Sequence, residues 1–121
     1  TFVLTPQRQP SSASASLGAN DHRSWPGNAQ DAWNVLAGYH IQNALVQATG
    51  ARDRGLKRAR FSVLRGLQCP GVLVEAGFVS SPVEGRNLGS AAYRERLADA
   101  IAGGVLDYQK RLNQIAAMRG R

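Results

Sequence analysis

The chain has 121 residues, 43% hydrophobic and 19% charged, which suits one folded domain or part of one and excludes disorder throughout. Fifteen Lys and Arg against eight Asp and Glu leave a net charge of +7, with thirteen of the fifteen at or after Arg52; such a balance points to a polyanionic neighbour or to a solvated surface. One cysteine, Cys69, excludes a disulfide framework and a cysteine-rich zinc site, and no apolar run reaches the roughly 18 residues that span a bilayer.

The chain opens on Phe2-Val3-Leu4, a short strand stopped by Thr5-Pro6. It shows no initiator Met and no signal-peptide pattern, and is expected to begin inside a strand of a longer gene product. Residues 5–27 read as one long loop, rich in proline and serine, with Ser11–Ser16 as its flexible stretch. Loops of this length in a compact domain are functional or disordered. A helix is predicted over 28–49, N-capped by Asn28, with Asp31 in its first turn and Gly50 as its stop. Its apolar face is Leu36, Ala37, Ile41, Ala44, Leu45 and Ala48.

Ala51–Ala59 is a basic connector, and residues 61–76 hold two predicted short strands. The first is Phe61–Leu64, closed by Gly66. The second is Gly71–Ala76, whose Val72-Leu73-Val74 run suits a strand buried on both faces. Between them Cys69, beside Pro70, reads as a small buried hydrophobe. Gly77 to Glu84 reads as a turn region. The last helix covers 91–114, with Leu97, Ile101, Val105, Tyr108, Leu112 and Ile115 on one face. Gly103-Gly104 inside it permits close packing. Helices alternating with short buried strands make an α/β layer architecture, two long helices covering the sheet.

Glu75 is the odd residue. It ends an apolar strand run, and strand ends of α/β sheets are where ligand and catalytic groups sit. A partly desolvated carboxylate there serves as general base or acid; a Glu that reaches solvent or pairs with an Arg is the alternative. His22 and His40 belong to no compact ligand pattern, and no phosphate-binding glycine loop or Gly-x-Ser-x-Gly motif occurs. Arg52, Arg54, Lys57, Arg58, Arg60 and Arg65 form a basic cluster opposed in sequence only by Asp53. Arginines of this kind hold phosphate or carboxylate groups bidentately, and Arg54 is the candidate substrate contact.

Taken together, Asp53-Arg54-Gly55-Leu56-Lys57-Arg58-Ala59, Phe61-Ser62-Val63-Leu64-Arg65, Pro70-Gly71-Val72-Leu73-Val74-Glu75-Ala76-Gly77-Phe78-Val79-Ser80, and the run from Tyr93 through Leu97 and Ile101 to Tyr108 carry a resemblance. In order and spacing the chain resembles the C-terminal half of the zinc-dependent N-acetylmuramoyl-L-alanine amidases, the type 3 amidase family of bacterial cell-wall hydrolases. The similarity covers roughly Asn28–Leu112.

The resemblance implies a mixed, mainly parallel sheet with helices on both faces, of which residues 1–121 would be the C-terminal portion of a single catalytic domain. It implies cleavage of the amide between N-acetylmuramic acid and the L-alanine of the stem peptide by a zinc-activated water, with Glu75 as general base and then proton donor. The family's His, Glu and His zinc ligands lie upstream of the matching region, so this chain alone is expected to bind no zinc and to be inactive. Neither His22 nor His40 matches a ligand position, and Ser81 stands where the family usually has Asn. The partners implied are peptidoglycan and either the missing N-terminal half of the domain or a second copy covering an exposed strand edge. An exported, periplasmic or envelope-associated protein is expected, with no membrane span and no nucleic-acid partner. The rival readings are a non-catalytic wall-binding or regulatory module of the same fold, and a basic nucleic-acid-binding domain; the second leaves Glu75 unexplained.

Overall fold

The computed structural model describes residues 1–14 and 16–120; Ala15, inside the serine-rich stretch, lies outside the described residues. The described residues hold a two-stranded parallel sheet and four α-helices, a small α/β arrangement with sparse strand content. They fall into two compact units. One comprises Thr1–Tyr39 and Gly55–Glu75; the other comprises His40–Arg54 and the chain from Ala76 onward. No helix among the described residues is long and apolar enough to cross a membrane.

In the first unit β1 (Phe2–Leu4) pairs in parallel with β2 (Lys57–Ala59), matching Phe2 to Lys57, Val3 to Arg58 and Leu4 to Ala59. The other edge of β1 meets Leu73: the Phe2 N–H donates to the Leu73 carbonyl at 2.7 Å, and the Leu73 N–H returns to the Phe2 carbonyl at 2.9 Å. The outer edge of β2, a segment expected from the sequence to be part of a basic connector, is met by the long loop. Arg58 points its backbone away from β1, accepts from the Ser12 N–H at 2.9 Å and donates its own N–H to Ser12 Oγ at 2.7 Å. Alternating backbone direction along a strand makes this two-sided pairing possible.

The core of this unit is Val3, Leu4, Ala37 and Leu64. The first part of α1 (Asp31–Thr49) lies close to β1, because a Cβ on Gly38 would stand 2.9 Å from Val3 Cγ1. Asn34 is buried yet satisfied. Its Nδ2 donates to the Gly27 carbonyl at 3.1 Å, and its Oδ1 accepts from the Gly71 N–H at 2.8 Å.

Several expectations for this unit are corrected. Asn28 does not cap α1; it sits in a 3-10 turn, Pro26–Gln30, that precedes the helix. There its Oδ1 accepts from the Trp25 N–H at 2.9 Å and its Nδ2 donates to the Thr5 carbonyl at 3.0 Å. Phe61–Leu64 is not a strand. Residues Ser62–Arg65 form one helical turn, α2, which buries Leu64 and leaves Val63 exposed. The strand lies just upstream in Lys57–Ala59, held by backbone pairing on both edges rather than by apolar side chains. Gly71–Ala76 makes only the single bridge at Leu73, so Val72, Leu73 and Val74 are half-buried rather than enclosed. Cys69 is exposed, because it lies in the connection between α2 and Leu73 and not in the core.

The second unit contains the later part of α1, α3 (Pro82–Gly89) and α4 (Ala91–Arg119). Gly50, at φ 63°, ends α1 by donating its N–H to the Val46 carbonyl at 3.0 Å. Ile41 and Leu45 are buried on α1 here, while Ala48, placed on the apolar face by its spacing, is exposed near the helix end. The predicted turn over Gly77 to Glu84 gives way after Ser81 to α3. Ser81 is its N-cap and accepts from the Glu84 N–H at 3.3 Å, and Pro82 takes the first helical position. Ser90 caps α4, and Arg94 Nη1 donates to the last carbonyls of α3, Leu88 and Gly89, both at 2.9 Å. The buried positions of α4 are Tyr93, Ala100 and Gly104, whereas Val105 is 46% exposed. At Gly104 the helix lies directly against α1, where a Cβ would stand 2.6 Å from Ile41 Cα.

Candidate active site

Glu75 is the last residue of the first unit, two positions past the bridge that ties Leu73 to β1. The backbone pairing at Leu73 holds the segment, and the half-buried Val72 and Val74 anchor it on either side. The Glu75 side chain itself is exposed, not partly buried as the apolar run suggests. Among the described residues it makes no hydrogen bond and no ion pair. The carboxylate is thus open to solvent.

Arg54 ends the first segment of the second unit. Its Nη2 donates to Glu84 Oε1 at 2.7 Å, and its guanidinium carbon lies 4.9 Å from the centre of the Phe78 ring. Glu84 Oε2 accepts from the Phe78 N–H at 2.7 Å. Sequence reasoning missed Glu84. The signal was present in Ser81-Pro82-Val83-Glu84, a capping residue followed at the third helical position by an acid.

The basic cluster is partly consumed inside the protein. Arg60 forms an ion pair with Asp21 and donates from Nη2 to the Pro6 and Gln9 carbonyls, each at 2.8 Å. Arg58 Nη1 donates to Gln9 Oε1 at 3.3 Å. The Arg65 and Arg23 guanidinium carbons lie 4.5 and 4.0 Å from the centre of the Trp25 ring. Arginines paired and stacked in this way offer a polyanion less than their number suggests.

His22 ends a 3-10 turn, Ala19–His22, and its carbonyl accepts from Gln7 Nε2 at 2.7 Å; His40 lies within α1. Among the described residues, no three His, Cys, Asp or Glu side chains are grouped so as to hold a metal ion. The described donor set does not fit zinc, which takes three or four protein ligands.

A family model described as N-acetylmuramoyl-L-alanine amidase matches residues 26–107, a span that includes Glu75, Arg54 and Glu84. An uncharacterized cell wall amidase of Bacillus anthracis is 46% identical over 68 residues, 56% of this chain and 13% of that protein. The N-acetylmuramoyl-L-alanine amidase AmiA of Escherichia coli is 41% identical over 75 residues, 62% of this chain and 26% of that protein. The N-acetylmuramoyl-L-alanine amidase LytC of Bacillus subtilis is 37% identical over 70 residues, 58% of this chain and 14% of that protein. The matched segments therefore span between 13% and 26% of these three relatives. No solved structure matches the chain.

Proposed function

The chain belongs to the N-acetylmuramoyl-L-alanine amidase family, and from that premise we propose that it forms the C-terminal portion of a peptidoglycan-hydrolysing catalytic domain whose proton-handling group is Glu75. The bond cleaved is the amide between the lactyl group of N-acetylmuramic acid and the L-alanine of the stem peptide. The observation that carries this reading is the state of Glu75: a carboxylate at the end of a backbone-anchored segment, exposed and without a structural partner among the described residues.

Amide hydrolysis asks two things of such a group. The Glu75 carboxylate takes a proton from the water whose oxygen attacks the amide carbon. The carboxylic acid so formed returns that proton to the alanine nitrogen as the carbon–nitrogen bond breaks. A zinc ion, when bound in family members, supplies polarisation of the amide and acidification of the water. Because the described side chains do not gather into a zinc site, we place its ligands outside these residues. The finer architecture follows the same reading: β1, β2 and the Leu73 segment belong to a larger, mainly parallel sheet, completed by the N-terminal half of the domain or by a second copy. A substrate in the cell wall implies an exported, envelope-associated protein.

The test is Glu75→Gln in the full-length natural protein, assayed for release of stem peptide from muropeptides. Turnover should fall by about 100-fold or more, the range that a general acid-base group supplies. Retained turnover would overturn the role of Glu75. Binding to isolated cell walls with no peptide release by the unsubstituted protein would favour the non-catalytic wall-binding or regulatory module.

A further inference from the structure

We infer that Glu84 is a positioning residue for the proposed reaction, clamping the backbone that directly follows Glu75. The inference rests on Glu75 being the group that handles the proton.

Three hydrogen bonds converge on Glu84. Its Oε2 accepts from the Phe78 N–H at 2.7 Å, its Oε1 accepts from Arg54 Nη2 at 2.7 Å, and its own N–H donates to Ser81 Oγ at 3.3 Å. The last contact fixes Glu84 in the first turn of α3; the other two use both carboxylate oxygens. Gly77 makes room for this. It has φ 151°, which side-chain-bearing residues rarely adopt, and a Cβ there would stand 3.1 Å from Glu84 Oε2.

Burial does not hold this turn. Phe78 is 59% exposed and Val79 is 83% exposed. The restraint on residues 77 and 78 comes instead from a charge-assisted hydrogen bond whose acceptor is neutralised by an arginine. Arg54, expected from the sequence to contact substrate, acts on this reading through Glu84 and through its stacking on Phe78. Residues 77 and 78 follow Glu75 closely in the chain, so loosening them widens the range of positions from which Glu75 meets the reacting water. Misplacement of a reacting group by about 1 Å lowers rates by up to about 100-fold.

The experiment measures kcat and KM on muropeptides, and hydrogen exchange at the Phe78 amide, in the full-length natural protein. Glu84→Ala should lower kcat by about 10- to 100-fold with KM changed less than about twofold, and should deprotect the Phe78 amide. Glu84→Gln keeps an oxygen acceptor for that amide and should restore protection and most of kcat. Should Glu84→Ala fail to fold, Glu84→Asp carries the test, since the shortened side chain cannot reach Phe78 and Arg54 together. Unsubstituted kcat in Glu84→Ala or Glu84→Asp, beside an inactive Glu75→Gln, would overturn the positioning role and leave the reading of Glu75 intact. Full activity of Glu75→Gln would overturn that reading and this inference with it. Unchanged exchange at Phe78 in Glu84→Ala, or equal loss of kcat in Glu84→Ala and Glu84→Gln, would overturn the clamp itself.

Discussion

The backbone of Ile41 lies against Gly104: a Cβ on Gly104 would stand 2.6 Å from Ile41 Cα and 3.0 Å from its nitrogen. These are backbone atoms of a helix, so they cannot swing aside as a flexible side chain would. Gly103, the next residue along α4, has nothing within 4 Å of the same position. Gly104→Ala should therefore lower stability by about 1–3 kcal/mol through overpacking. Gly103→Ala should raise it by about 0.5–1 kcal/mol, the helix gain of Ala over Gly. Denaturant titration of the two variants checks this. Changes of the same sign would mean that α4 does not approach α1 at Gly104.

Asn34 supplies a donor and an acceptor to two backbone groups far from each other in sequence, the Gly27 carbonyl and the Gly71 N–H. Truncating it strands both. Asn34→Ala should reduce stability by about 2–4 kcal/mol, from unsatisfied polar groups of about 1–3 kcal/mol each that partly relax toward water. Asn34→Asp, which keeps the acceptor for Gly71 but loses the donor to Gly27, should fall between. Equal stability of all three proteins in thermal unfolding would remove Asn34 from the account of the core.

Arg60 and Asp21 form an ion pair in which the side chains are only 11% and 13% exposed. Together with the bonds from Arg60 to the Pro6 and Gln9 carbonyls, it straps the long loop to the end of β2. Removing one member leaves a charge with little solvent, which in buried pairs costs about 3–5 kcal/mol. Asp21→Ala should approach the lower end of that range. It should also speed proteolytic cleavage within residues 6–22, read by mass spectrometry of limited digests. A strap this shielded should resist screening, so cleavage of the unsubstituted chain should change little between low and moderate salt.

Tyr108 keeps its hydroxyl buried without a hydrogen-bond partner among the described residues, and that burial raises its pKa above the ordinary 10.0. The unfolded chain releases this proton first. As pH rises through 10 the folded state holds the proton that the unfolded state has lost, so stability falls, and it continues to fall until the folded pKa is reached. Below pH 10 this contribution is constant. Tyr108→Phe should remove the alkaline slope and, by deleting an unsatisfied hydroxyl, leave stability at neutral pH equal or higher. An unchanged alkaline slope in denaturant titrations from pH 9 to 11.5 would assign it to other groups.

Local patterns carried the helices and the site motif. Apolar positions at helical spacing mark α1 and α4, Gly50 marks a stop, and an acid closing the Val72-Leu73-Val74 run marks Glu75. The same patterns passed over α3, although Ser81, Pro82 and Glu84 spell a helix start, because Pro82–Gly89, with Val83 and Leu88 as its large aliphatic residues, is too short to show a helical period. They also passed over β2, since Lys57-Arg58-Ala59 shows no alternation of apolar and polar residues. Hydrogen bonds from β1 and from Ser12 hold that strand, and such bonds leave no trace in side-chain composition.

By itself the sequence determined what depends on neighbours along the chain: helix period, the stop at glycine, and the motif that places this protein among the amidases. Only the tertiary structure decided which distant groups meet. Arg60 pairs with Asp21 rather than with nearby Asp53, Glu84 takes both Arg54 and the Phe78 amide, and Ser12 covers the edge of β2. The physical reason is that ion pairs and backbone hydrogen bonds act at contact distance, while chain separation sets only the entropy of bringing the partners together. That entropy grows slowly with loop length, so a partner 39 positions away competes with one close by.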